Sequence, residues 1–200
     1  MKRHGRKTSP RVIGGKVQRK NNWTLTRDWS QTEVPGLAFA RERPGVGHRH
    51  YLRKRDVERF VHLLPEWEQL SEGLDAVLLA EADGDVQGYH MTGVVAVCAW
   101  SKDLAEEWSR TFYEDHREVL ERLDVEAEAV DADTVLVRFT EPAVVGFQLM
   151  HVLLHELGHH HDRMTTRSKR SAARGEGFAE DYALRHAEAL WDAYFREFPW

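Results

Sequence analysis

Ala143-Val144-Val145-Gly146-Phe147-Gln148-Leu149-Met150-His151-Val152-Leu153-Leu154-His155-Glu156-Leu157-Gly158-His159 is the stretch that decides how this 200-residue chain is read. Pro142 stands just before it. Proline suits the first turn of a helix, where the N–H it lacks would have had no partner. From Ala143 to Leu157 the run is apolar on nearly every side, which predicts a helix through the middle of a domain. Its second half carries the pattern H-E-x-x-H at residues 155–159. Residues four apart lie on one helix face. His155 and His159 can therefore hold one metal ion, with Glu156 beside them as general base for a water molecule. So short a pattern arises by accident in a chain with 12 histidines. Its setting argues otherwise, because two imidazoles and a carboxylate in the most apolar helix are costly unless something satisfies them.

Catalytic zinc takes three protein ligands and leaves a fourth position open. The metzincin spacing would require glycine at 162 and histidine at 165, where this chain has Asp162 and Thr165. The other common solution is a glutamate on a following helix, and Glu176 to Ala183 reads Glu-Gly-Phe-Ala-Glu-Asp-Tyr-Ala. Glu176 and Glu180 are one turn apart. Glu176 is the expected third ligand, and Glu180 the residue that accepts the far N–H of a ligating histidine. Glu180 also competes for the ligand role. Gly175 and Gly177 are expected to let the two helices approach. Tyr182, His186, Tyr89 and His90 are the candidate donors to an oxyanion. His151, one turn before His155, could join the site but reads rather as a helix-packing residue, and His116 reads as a core-edge histidine on the stripe of Phe112 and Leu120. His160, His161 and Asp162 could hold a second metal but read rather as a solvated helix end, since no spaced partner is evident.

With these residues in place, the chain resembles the gluzincin metallopeptidases. It is most similar to the small intracellular ImmA/IrrE-like proteins, whose signature is H-E-x-G-H followed by E-x-x-A-N-x-F-A. The matching residues are His155, Glu156, Gly158 and His159, then Glu176, Ala179, Tyr182 and Ala183, with Glu180 where Asp or Asn is usual. The resemblance is specific over residues 151–183. It implies an α+β, zincin-like fold with a small mixed sheet, an edge strand over the cleft, the active-site helix beneath and the glutamate helix behind. It further implies Zn²⁺ as cofactor and hydrolysis of a peptide or protein substrate. The rival expectation is a non-catalytic, metal-stabilised regulatory or nucleic-acid-associated protein.

The rest of the chain fills in this outline. Residues 1–60 carry 16 Lys/Arg against 5 Asp/Glu, and residues 61–200 carry 12 against 28. Residues 1–20 read as a basic, disordered tail able to touch nucleic acid. Residues 21–72 read as an extended segment with an N-terminal helix from Arg53 to Leu64, and residues 73–200 as the metal-binding domain. Strands are expected at Ala76–Ala80, Val94–Trp100 and Thr134–Thr140, with a turn at Gly88–His90. A helix is expected after Ser101 through Leu123, a loop from Arg163 to Arg174, and a last helix ending near Phe198. No stretch approaches the ~18–20 apolar residues of a membrane span, and no apolar leader follows the basic start. The one cysteine, Cys98, lies in an apolar run and reads as a buried thiol. Together these place the chain in a reducing, cytoplasmic setting without a membrane.

Overall fold

The computed structural model describes residues 36–166 and 174–199, together with two short antiparallel strands, β1 (Val12–Ile13) and β2 (Lys16–Val17). Apart from those strands, the tail expected over residues 1–20, its contact with nucleic acid, and the first part of the extended segment lie outside the described residues. So does the middle of the expected loop between Arg163 and Arg174.

The architecture is α+β. A four-stranded sheet runs in the order β3 (Ala38–Arg41), β5 (Ala76–Ala80), β7 (Val94–Cys98), β6 (Gly88–Met91). The first three are parallel and β6 closes the edge antiparallel to β7. All five residues of both β5 and β7 are buried, as expected for continuous apolar runs covered on both faces. Alternation divides them between two clusters. Val77, Leu79, Val95 and Val97 join the main core, while Ala76, Leu78, Val94, Ala96 and Cys98 form a smaller one. A two-stranded pair, β4 (His48–Arg49) with β8 (Trp100–Ser101), lies apart from this sheet. The segment leading into β5 carries α1 (Lys54–Val61) and the short α2 (Trp67–Leu70).

Residues 105–140 differ from the sequence reading. Ser101 does not cap a helix. Ala105–Ser109 is instead strand β9, and helix α3 (Arg110–Arg122) starts later, capped by the Ser109 hydroxyl accepting from the Phe112 N–H at 3.2 Å. β9 and the exposed β10 (Glu126–Ala129) flank β11 (Thr134–Arg138) in a separate three-stranded sheet. Ala-Glu segments favour helix, but pairing on both sides of β11 overrides that preference. The strand expected at Thr134–Thr140 is thus present as β11, outside the four-stranded sheet.

The central helix is one continuous helical run with a change of winding. α4 (Glu141–Phe147) is capped by Thr140, passes into a π-helical turn over Gln148–Leu153, and continues as α5 (Leu154–Thr165). All six residues of the π-turn are buried. Gln148 donates from Nε2 to the Cys98 carbonyl at 2.8 Å, fastening the turn to the end of β7. Helix α6 (Glu176–Glu197) lies along α5. No helix among the described residues is long and apolar enough to cross a membrane.

Candidate metal centre

Two glycines set how closely the elements around H-E-x-x-H approach. A Cβ at Gly158 would stand 2.9 Å from Ala179 Cα and 3.1 Å from Tyr182 Cβ, so α5 and α6 touch through the glycine of the motif itself. Gly175 and Gly177, expected to serve this purpose, have nothing within 4 Å of such an atom. On the other side, a Cβ at Gly88 would stand 2.7 Å from Val152 Cγ1 and 3.0 Å from Glu156 Oε1. The turn expected at Gly88–His90 is therefore the edge strand β6 itself, laid against α5, with Gly88 admitting the Glu156 carboxylate. A glycine inside a strand marks such a close approach. That signal was present in the sequence, and the turn reading masked it.

The structure brings His155, His159 and Glu176 together, with one ligand atom from each within 4.8 Å of the others. Glu176 Oε2 stands 3.1 Å from His155 Nε2 and 3.3 Å from His159 Nε2. Ligands at the usual zinc bond lengths on a tetrahedron are separated by about 3.3 Å, so these spacings fit the ion. The proton inventory points the same way. Glu180 Oε2 accepts from His155 Nδ1 at 3.1 Å, which leaves the His155 Nε2 lone pair facing the Glu176 oxygen. Two acceptors at 3.1 Å need a cation or a proton between them. Burial disfavours charge on His155, yet the bond to Glu180, then Glu156 and Glu176, raise its pKa above the usual value. Glu156 is buried at 7% exposure, and burial pushes its carboxyl up to about 7, against the lowering effect of His155. Glu180 sits below the ordinary carboxylate value: burial raises it, but the His155 bond and the nearby His151 and His116 outweigh that.

No family model, curated protein or solved structure matches this chain. The site therefore has to be read from its own chemistry.

None of the four oxyanion candidates lines the cavity beside Glu156. The Tyr182 and His186 rings lie tilted at 4.1 Å, Tyr182 is also 5.4 Å from His161, and its hydroxyl is buried without a hydrogen-bond partner. Tyr89 packs against the smaller cluster. His90 stacks over His159 at 6.4 Å, with its Nε2 buried and lacking a hydrogen-bond partner. The solvated helix end expected at 160–162 is in part buried. The His160 Nε2–H donates to the Glu72 carbonyl at 2.8 Å, and Asp162, at 0% exposure, accepts from the Arg174 N–H at 2.7 Å. That last bond ties the end of α5 to the residues just before Glu176. Cys98 is buried, and burial pushes its thiol up to about 12.

A cavity of about 300 Å³ opens along this site, lined among others by His155, Glu156, Glu176, Glu180, His151 and His116. It adjoins a second of about 530 Å³, with Asp85, Val86, Gln87 and Phe112 common to both. The sequence reading raised His151 as a residue that could join the site and missed His116, which falls on an apolar stripe.

Proposed function

We propose that this chain is a zinc-dependent hydrolase of the zincin type that cleaves peptide bonds. In this reading His155, His159 and Glu176 hold the ion, Glu156 is the general base and acid, and Glu180 orients His155. The observation that carries it is the convergence of His155 Nε2 and His159 Nε2 on Glu176 Oε2 at 3.1 and 3.3 Å, next to a buried carboxylate whose pKa is pushed to about 7. Zinc bound there would polarise the scissile carbonyl and lower the pKa of a water molecule to about 7.

The chain's own residues do the rest. Glu156 takes a proton from the attacking water on a carboxylate oxygen and delivers it to the amine nitrogen of the leaving peptide. A base poised near the working pH serves both steps. His90 would be the donor for the developing oxyanion, since its ring stacks over that of His159 at 6.4 Å and its Nε2 has no partner. Strand β6 pairs only with β7 among the described residues, so its outer edge can accept an extended peptide as an added strand.

Glu156→Gln tests the reading. The variant should keep its metal by elemental analysis while hydrolysis of a mixed peptide library is lost. A Glu156→Gln protein that cleaves the library at the wild-type rate would sink it.

A further inference from the structure

A second convergence of metal-binding side chains lines the same cavity. His116, from the middle of α3, and His151, from the π-turn, point their Nε2 atoms at each other across 2.8 Å. A carboxylate oxygen of Glu180 stands 3.8 Å from His151 Nε2, and one ligand atom from each of the three lies within 4.8 Å of the others. Both histidines are at least nine-tenths buried. We propose that His116, His151 and Glu180 form a second site for a borderline divalent metal ion.

Three features of the arrangement support it. His116 donates from Nδ1 to the Phe112 carbonyl at 2.6 Å, which fixes the tautomer that presents the Nε2 lone pair. A carbonyl on the far nitrogen is the usual support behind a ligating histidine. Glu180 Oε2 is the oxygen that faces His151 and also accepts from His155, while Oε1 is buried with no partner, so a turn of the carboxylate can give one oxygen to each side. The donor set, two imidazoles and one carboxylate, suits Zn²⁺ and its first-row neighbours and not the all-oxygen ions Mg²⁺ and Ca²⁺. The 2.8 Å separation of the two nitrogens would have to open by about half an ångström to reach a tetrahedral edge, within reach of a small χ adjustment. Glu180 would then join the two centres, supporting His155 at one and ligating at the other. This site does not depend on turnover at the first.

The stoichiometry of Zn²⁺ in the full chain decides. Metal-stripped protein is equilibrated with Zn²⁺ against a competing chelator and its metal content measured, for the wild type and for His116→Gln, His151→Gln and His159→Gln. The expected result is two ions in the wild type and one in each variant. One ion in the wild type, kept by His116→Gln and lost by His159→Gln, overturns the second site and leaves the proposed hydrolase centre standing. One ion lost by His116→Gln and kept by His159→Gln supports the second site and removes the first. Two ions in both the wild type and His116→Gln place the extra ion elsewhere and overturn the proposal, and no ion at all overturns both. Circular dichroism reports whether the variants fold. If neither His116→Gln nor His151→Gln does, two ions in the wild type and one in His159→Gln support the site, while one and none overturn it.

Discussion

The two His-His-Glu triads use the same residue types in opposite settings. In one, the Glu176 side chain is 81% exposed, His155 lines the cavity at 18% and His159 is 10% exposed. In the other, the His151 side chain is 6% exposed, Glu180 is 29% exposed, and His116 is sealed among Phe112, Trp108 and Phe147. Solvent reaches the first triad freely through Glu176, whereas the second meets the cavity only through mostly buried side chains. An exposed carboxylate costs the fold little and is free to meet an ion or water. Buried imidazoles have to be satisfied by one another or by an ion before the core closes.

The strongest test of that contrast is catalytic. Glu156→Gln should lower kcat/KM on a peptide library by about 10²- to 10⁴-fold, the range of a lost general base, with metal content unchanged. A smaller loss would shift the chemistry away from the open triad.

Any response to pH must first be cleared of a titration that belongs to neither triad. His50 is buried, and burial, with Arg41 nearby, lowers its pKa to about 4 against the bond to the Glu42 carbonyl. A histidine whose folded value lies below its unfolded one adds stability above about pH 6.5 and loses it as pH falls through about 4. Denaturant titrations of metal-stripped protein should therefore lose up to about 3 kcal/mol from His50 across that window, beside the share of His90 and His151, which burial lowers to about 4 and about 3. His50→Gln should remove its share of the loss; an unchanged slope would assign the loss to the other two.

Stability should separate the triads directly. In metal-stripped protein His151→Ala leaves the His116 ring buried without its partner, at a cost of roughly 1–3 kcal/mol. Glu176→Gln, on an exposed side chain, should stay within about 0.5 kcal/mol. Equal costs in urea unfolding would erase the distinction. The contact that carries both glutamates past α5 gives the smallest effect. Gly158→Ala should lower stability by about 1 kcal/mol or more through overpacking against Ala179, while Gly177→Ala should not lower it, since a Cβ there meets nothing. Thermal melts read the pair, at roughly 2–4 °C per kcal/mol for a chain of this size.

Much of this was legible before any coordinates. β5 and β7 announce themselves as short apolar runs, and the buried central helix follows from its all-round apolarity. Spacing alone nominated His155, His159, Glu176 and Glu180, which the structure gathers within hydrogen-bonding range. What failed was local preference that tertiary pairing overrode, as at the Ala-Glu stretch of β9, read as part of a helix. Gly88 was legible as a glycine but not as a strand, because only the neighbouring helix reveals what a side chain there would strike. The His116–His151 pair was illegible for another reason: thirty-five positions separate them, and each falls on an apolar stripe that explains it locally.

The π-turn over Gln148–Leu153 keeps a phase. It holds one more residue than an α-turn would, each residue turning through less than the about 100° of an α-helix, so the surplus residue is absorbed within nearly the same total rotation. Removing one residue there would let the helix run on as uninterrupted α, and His155 and His159 would keep their direction relative to Val144 and Phe147, which α4 buries in the core. What would move are the side chains of the turn itself, Gln148 at the end of β7 and His151 beside His116. The helix thus carries a spare residue that its two ends do not register, and a one-residue deletion should spare metal uptake through His155 and His159 while costing the His116–His151 contact.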